Sequence, residues 1–595
     1  MSERSMRWGV LPEYYSYRGD VVPTSPETQD AILAAMGAAS DHPPRARRRA
    51  IPPATPTATP TDRCEAPPSR AWGWAVQIYA TRSRDSWGIG DLADLRHLGR
   101  MAKSQGASAL LINPLGAQSP TPHQEPCPYY ASSRRFLNTL YLRIEEVPGA
   151  QQCAAELEPL RNEALGLNAQ RLIDHDAVFR LKSQACEQIF NAAPDPPGLQ
   201  AWVRGQGKGL VDYATFSAMA EIHGTAWRSW PAELRHPRSE GVAIRRRQLA
   251  DRVAFHQWLQ FHLDRQLARA SKEIGLITDV PVGFAADGCD AWRWQDLLAL
   301  EMRVGAPPDF FFPDGQDWGM PPFDPWKLRK AHFEPFVETI RSTAKHAAGL
   351  RLDHVMGLFR LFWIPPAAHA SGGAYVRYPA RELLAILAAE SRKTHTFIVG
   401  EDLGLVEPSM RSRLRHSGVL SYRLLWFEDA RPEEWPRESA GAIGTHDLPT
   451  VAGIWNLSEP DQRQHHLRRR LTDATGLPDG TPPVEVAVAA YQRLAHARSR
   501  IVLASFEDAL GIEERTNVPG TTTERPNWRL AIPHVLEDIG RADGVLRIAQ
   551  AMRSARRSGA SGNQLVKARP RPPTPRQGGA TRSASSMRDE ETPGP

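Results

Sequence analysis

The sequence predicts an α/β fold: a (β/α)8 or TIM barrel with helical insertions and no separate C-terminal β-domain. Two observations carry this. From about residue 70, short apolar runs alternate with longer helix-like stretches, and three acidic residues each stand at the end of such a run. The runs are W-A-V-Q-I-Y, A-L-L-I-N-P-L, L-I-T-D-V-P-V, L-R-L-D-H, F-I-V-G-E-D, Y-R-L-L-W-F, A-I-G-T-H-D and I-V-L-A-S-F. Alternating β and α units imply a parallel sheet, and about eight of them imply closure into a barrel. The acids are Asp353 in G-L-R-L-D-H, Glu401 in F-I-V-G-E-D-L-G and Asp447 in A-I-G-T-H-D-L-P. Parallel strands carry residues at such positions to one rim, where they converge.

The remaining segments divide the chain. Residues 1–41 hold one helical pattern, with Ser25 as N-cap and Pro26 in the first turn, and are too short to bury a core alone. Residues 42–69 read as an extended Pro/Thr/Arg linker. The barrel occupies 70–545, with helical insertions at about 149–265 and 455–500. Residues 546–595 form a basic tail rich in Pro, Ser, Gly and Arg, a composition that does not support a packed core.

Charge and cysteine usage exclude several classes. Residues 551–595 contain nine Arg/Lys and three Asp/Glu, which accounts for the whole net charge of +6. Residues 1–550 therefore sum to zero, and a nucleic-acid partner is not expected. No run of about 18 apolar residues is present, so no membrane span is expected. The N-terminus lacks the apolar core of a signal peptide, and the five cysteines are scattered without a CxxC pair. A reducing cytoplasm fits that pattern.

Two carboxylates across a cleft are the machinery of retaining chemistry at glycosidic bonds, one as nucleophile and one as acid/base. Arg351 and Asp353 lie two apart and share a strand face, so the guanidinium is expected to keep Asp353 ionised for attack. Glu401 must carry a proton when the leaving oxygen departs, so burial and neighbouring carboxylates should raise its pKa. Asp402, on the opposite face, is a neighbouring hydrogen-bonding group. Asp447 can stabilise the positive charge of an oxocarbenium-like transition state. His354 and His446 suit sugar hydroxyls. With no third ligand at metal spacing, a metal site is not expected, and the chemistry needs no cofactor. Ten aromatic residues near the rim offer stacking platforms, of which three or four should face substrate. The trio alone leaves hydrolysis and transfer open; a non-catalytic glucan-binding role fits less well with all three acids present.

Longer motifs, in order, carry a resemblance. They are S-W-G-I-G-D-L at 86–92, P-Y-Y-A-S-S-R-R-F-L-N at 128–138, D-V-P-V-G at 279–283, G-A-P-P-D-F at 305–310 and G-Q-D-W-G at 315–319. There follow L-R-L-D-H-V-M-G-L-F-R at 350–360, G-E-D-L-G at 400–404, G-T-H-D-L-P-T at 444–450, and N-V-P-G-T with R-P-N-W-R at 517–529. From roughly residue 5 to 545 the chain resembles the 4-α-glucanotransferases (amylomaltases or disproportionating enzymes, glycoside hydrolase family 77) of the α-amylase superfamily. The resemblance implies transfer of α-1,4-glucan segments between maltooligosaccharides. It matches Asp353 to the nucleophile, Glu401 to the general acid/base and Asp447 to the transition-state stabiliser. It also implies substrate-binding or supporting roles for Tyr129, Asp279, Arg351, His354 and His446, with Gln316 and Trp318 in a loop arching over the cleft. The segment G-V-L-P-E-Y-Y-S-Y-R-G-D at 9–20 looks like the start of the extra N-terminal domain of longer bacterial members, reduced here to a stub. Cys127, Tyr130 and Thr523 depart from the family pattern.

Overall fold

The computed structural model describes residues 3–44, 63–68, 70–310, 312–404, 406–458, 461–521 and 524–557. Most of the expected linker, Thr523 and the tail beyond 557 lie outside the described residues.

Eight parallel strands close into a barrel in simple chain order. They are β1 (Ala71–Val76), β2 (Ala109–Ile112), β3 (Gly275–Val280), β4 (Gly349–Leu352), β5 (Phe397–Gly400), β6 (Leu420–Leu424), β7 (Ser439–Ala442) and β8 (Ile501–Ser505), with β8 returning to β1. All but one overlap their apolar runs, because a strand covered by helices outside and packed inside must be apolar on both faces; β7 shares only Ala442 with A-I-G-T-H-D, which otherwise lies in the loop after it. β1 is buried along its length except for the half-buried Ala75. Trp74 stacks on Phe506 at 4.6 Å, and its indole N–H donates to Gln105 at 3.1 Å. Among the described residues no strand follows Ser505 except an isolated bridge, Leu172 to Leu530.

Gly73 marks the tightest approach between β1 and β2. A Cβ there would sit 2.2 Å from the carbonyl oxygen of Ala109, which is backbone and cannot swing aside. Gly73→Ala is expected to cost roughly 2 kcal/mol or more of unfolding free energy, as overpacked cores do. Chemical denaturation of both proteins measures it.

The long β2–β3 connection holds the helical insertion, from Ala154–Gly166 to Ala250–Ala270. The β7–β8 connection holds the second, Gln462–Thr475 and Pro483–Leu494. The family-like motif at 86–92 is structural. Asp91 caps the helix Leu92–Ser104 and pairs with the buried Arg143 at 2.6 Å, while Ser86 donates to Asp94 at 2.7 Å.

Three features differ from the sequence reading. A four-stranded antiparallel sheet crosses one side of the barrel mouth, in the order Ala374–Arg377, Arg360–Ile364, Arg303–Ala306, Gln316–Met320. Its strands come from two separate barrel loops, so no single stretch of sequence displays it. The N-terminal segment, too short to bury a core alone, docks on the edge of this sheet. Val10 bridges to Val376, Leu11 N–H donates to the Tyr375 carbonyl at 2.8 Å, and Trp8, Val10, Ile32, Leu33 and Met36 bury themselves against Val304, Leu361 and Trp363. The segment thus uses the sheet as the other half of its core. At the far end, helix Asp543–Arg557 buries Val545, Ile548, Ala549 and Met552. The fold therefore runs past the boundary expected at residue 545.

Candidate active site

The ladder registers bring the charged groups together. Arg351 on β4 is opposite Asp279 on β3, and neighbours in register on parallel strands face the same way. The Arg351 guanidinium donates to both Asp279 oxygens, at 2.8 and 2.6 Å, and to Asp353 Oδ1 at 3.1 Å. Asp353 and Glu401 each stand one residue beyond their strands. Asp353 N–H donates to the Val280 carbonyl at 3.1 Å, and Glu401 N–H to the Leu352 carbonyl at 3.0 Å, so the ladder geometry continues to the two acids. Glu401 accepts from the backbone N–H groups of His354 (2.9 Å) and Leu403 (3.0 Å).

His354 supplies its N–H by adopting a left-handed conformation, φ 42° and ψ 58°. That is a strained geometry for a residue with a Cβ, of the kind held in place at functional sites. Its ring meets Trp318 edge-on at 5.2 Å. Asp402 faces away, accepting from Ser421 Oγ at 2.6 Å and Tyr422 N–H at 2.8 Å.

Asp447 is not at a strand end. β7 stops at Ala442, and Asp447 lies five residues on, in the turn after Gly444-Thr445-His446. Gly444 is needed there, since a Cβ would come within 2.6 Å of the Trp426 indole nitrogen. Asn517 holds Asp447 Oδ1 at 2.6 Å, His446 Nε2 lies 3.3 Å from Oδ2, and Arg515 donates to its carbonyl. The His446 ring stacks on Tyr129 at 5.1 Å, and Trp528 packs against both, at 5.2 and 5.3 Å.

The electrostatics separate these acids. Burial pushes Asp353 up to about 7, with Asp279, Glu401 and Asp447 adding to the effect and Arg351 opposing it. The sequence reading expected Arg351 to hold Asp353 ionised. The guanidinium does face it, but it is committed first to Asp279, and one 3.1 Å contact does not offset burial among three other carboxylates. Burial also raises Glu401, against Arg351 and the two backbone donors. For Asp447 burial works against the charge, but His446 and Asn517 outweigh it and hold the group down at about 2. His446 is raised overall, because Asp447 overrides its burial. Burial lowers His354 to about 4, leaving it neutral.

Asp353, Glu401 and Asp447 line one open cavity of about 1730 Å³, together with Tyr129, Gln316, Trp318, Arg351, His354 and His446. That exceeds the roughly 300–1,000 Å³ typical of drug-sized ligands and suits an extended one. Asp279 lies deeper. It is 3% exposed and is saturated by Arg351 and by the Tyr129 hydroxyl at 2.6 Å, so it orders those two groups and does not face the cavity. Gln316 and Trp318 sit on an edge strand of the four-stranded sheet, not in a loop, and Trp318 donates to Gln316 at 3.2 Å.

Of the ten aromatics noted in the sequence, Tyr129, Tyr130, Trp318 and Tyr375 line the cavity, whereas Tyr79, Trp87, Trp292 and Trp363 are core. Asn517 and Trp528 were not picked out as site residues, although the motifs N-V-P-G-T and R-P-N-W-R contain them. Among the described residues no group of three or more His, Cys, Asp or Glu is arranged to hold a metal ion.

A closed parallel barrel with an open, carboxylate-lined trough at the C-terminal ends of its strands defines a (β/α)8-barrel enzyme. The sequence model of the 4-alpha-glucanotransferase family matches residues 76–535. A 4-alpha-glucanotransferase of Mycobacterium tuberculosis is 38% identical over 552 residues, covering 82% of this chain and 75% of the relative. One from Haemophilus influenzae is 30% identical over 530 residues, covering 78% and 76%. The crystal structure of amylomaltase from Corynebacterium glutamicum superposes with a TM-score of 0.80 at 26% identity, covering 92% of this chain and 99% of that one. The chain belongs to the 4-alpha-glucanotransferase family.

Proposed function

We propose that this protein transfers α-1,4-glucan segments between maltodextrins by a retaining double displacement, with Asp353 as nucleophile and Glu401 as acid/base. The observation that carries this reading is the pair itself. Two carboxyls with raised pKa values follow directly on neighbouring strands β4 and β5, in a trough of about 1730 Å³, roomy enough for an oligosaccharide.

Asp353 attacks the anomeric carbon while Glu401 gives its proton to the leaving oxygen, so the first product departs with a free 4-hydroxyl. Glu401 is then a carboxylate, takes the proton from the 4-hydroxyl of a second glucan, and a new α-1,4 bond replaces the ester at Asp353. Asp447 remains anionic throughout and faces the charge that develops on the sugar ring. Tyr129 is held by Asp279 and packed against His446 and Trp528, so it offers a fixed ring and needs little ordering when sugar binds. Trp318, packed against the apolar cluster on the sheet, is the group proposed to exclude water in favour of the acceptor hydroxyl. The five cysteines are all free, which supports a cytoplasmic setting.

Incubation with maltotriose tests the reading. A ladder of longer maltodextrins with glucose is the expected product; maltose and glucose alone mean hydrolysis, and no turnover contradicts the proposal.

The acid limb of the pH profile is a second test. Asp353 must be ionised to attack, so kcat/KM should fall as the pH drops through its raised pKa. Asp279→Asn removes one of the anions that raise Asp353 and frees Arg351 to turn toward it. Both effects lower the pKa, so the acid limb should move to lower pH. A limb that stays in place or moves upward assigns it to another group.

A further inference from the structure

The most exposed large apolar side chain among the described residues is Tyr15, at 70%. It sits on a hairpin of the N-terminal segment, where Glu13–Tyr15 pairs with Val21–Pro23. The alternation of the strand gives its residues opposite duties. Tyr14 is the anchor, 7% exposed and packed edge-on against Phe362 at 5.6 Å and Tyr375 at 5.7 Å. Tyr15 points the other way and packs nothing into the core. Two residues on, Tyr17 is half-buried, its hydroxyl accepting from Arg18 Nε at 2.9 Å.

Both tyrosines line the same continuous trough as the three carboxylates. They stand at its far end. The four-stranded sheet runs from the Trp318 strand at one edge to Ala374–Arg377 at the other, and the N-terminal segment adds beyond that. At about 4.8 Å per strand spacing, four steps separate the Trp318 strand from the stretch of the N-terminal segment that bridges at Val10 and leads into the hairpin, roughly 19 Å. The trough wall between them carries Met356, Arg360 and Tyr375, with the Arg360 guanidinium over the Tyr375 ring at 4.2 Å.

We propose that Tyr15 and Tyr17 form an outlying subsite of the trough that takes pyranose rings of a long α-1,4-glucan whose reacting bond lies at Asp353 and Glu401. The inference rests on the proposed transfer reaction. The C–H faces of pyranose rings stack on aromatic rings, and a tyrosine at the mouth of a polar trough supplies such a face with only two side-chain torsions to order. A maltotriose seated at the carboxylates is too short to span the sheet. A long chain reaches the hairpin, so the subsite selects for length and leaves the chemistry untouched.

The test compares wild type, the pair Tyr15→Ala/Tyr17→Ala and the pair Tyr15→Phe/Tyr17→Phe, each with maltotriose and with a long linear amylose donor plus glucose. For the alanine pair kcat/KM on amylose should fall about tenfold, through KM and not kcat. Its turnover of maltotriose should stay within about twofold of wild type. The phenylalanine pair, which keeps both rings, should behave as wild type. Unchanged use of amylose by the alanine pair overturns the inference. So does an equal loss on both donors, or a phenylalanine pair as impaired as the alanine pair. If wild type turns over neither donor, the transfer reading has failed instead. Affinity electrophoresis in amylose gels then still decides: weaker retardation of the alanine pair supports the subsite, and equal retardation overturns it.

Discussion

Asp353→Ala is expected to abolish the disproportionation of maltotriose, with a loss of at least about 10⁴-fold in kcat/KM, or roughly 5.5 kcal/mol of transition-state stabilisation. The proposed ester has no other site on which to form: Glu401 is pinned by two backbone donors and Asp447 is turned toward Asn517 and His446. The variant should stay folded. Asp353 receives one 3.1 Å bond from Arg351, which retains both contacts to Asp279. The effect on stability has a definite sign. A carboxyl raised to about 7 in the native state binds more protons folded than unfolded, so it costs the wild type stability as the pH rises from about 4 to about 7. Alanine removes that cost. Relative to wild type, the variant should gain stability across this window and keep the gain above it, as thermal melts at pH 4.5 and pH 8 would show.

Glu401→Gln should lower kcat/KM on maltodextrins by about 10²- to 10⁴-fold, the usual range for a general acid. The loss should depend on the leaving group. Fluoride leaves a glucosyl fluoride without protonation, so formation of the glycosyl-enzyme from it should be far less impaired than from maltotriose. The second step still lacks its base, and the intermediate should accumulate. Azide, which needs no base, should release it as a glycosyl azide and restore turnover. A variant equally slow on both donors, and not helped by azide, would remove Glu401 from the acid/base role. Because an amide presents N–H to one of the two backbone donors at this position, Glu401→Ala serves as the steric control.

The barrel was legible because its signal is local. Eight apolar runs separated by helix-like stretches need only hydrophobic patterning to be read, and seven of them overlap barrel strands, while A-I-G-T-H-D lies almost wholly in the loop after β7. Asp353 and Glu401 were legible as acids following directly on such runs. What escaped was assembled from distant parts. The sheet across the mouth joins strands from two barrel loops. The N-terminal segment has a core only when placed against that sheet, and Asn517 and Trp528 reach Asp447 and Tyr129 from beyond β8. The charge state of Asp353 was misread for a related reason. The pairing of Arg351 with Asp353 is visible two residues apart, but its stronger commitment to Asp279 depends on the register of β3 against β4. Asp447 was correctly singled out as an acid, yet its turn extends well past the strand, because Gly444 allows the chain to pass close to Trp426.

The proposed reaction turns on a glucosyl unit carried by Asp353. Glu401→Gln incubated with an α-maltosyl fluoride, quenched in acid and digested, gives the most direct reading by peptide mass spectrometry. The account predicts a mass increment of whole glucosyl units on the peptide spanning 351–360, fragmenting at Asp353 and absent when Asp353→Ala is added. An increment on another residue, or none while fluoride is still released, would contradict it.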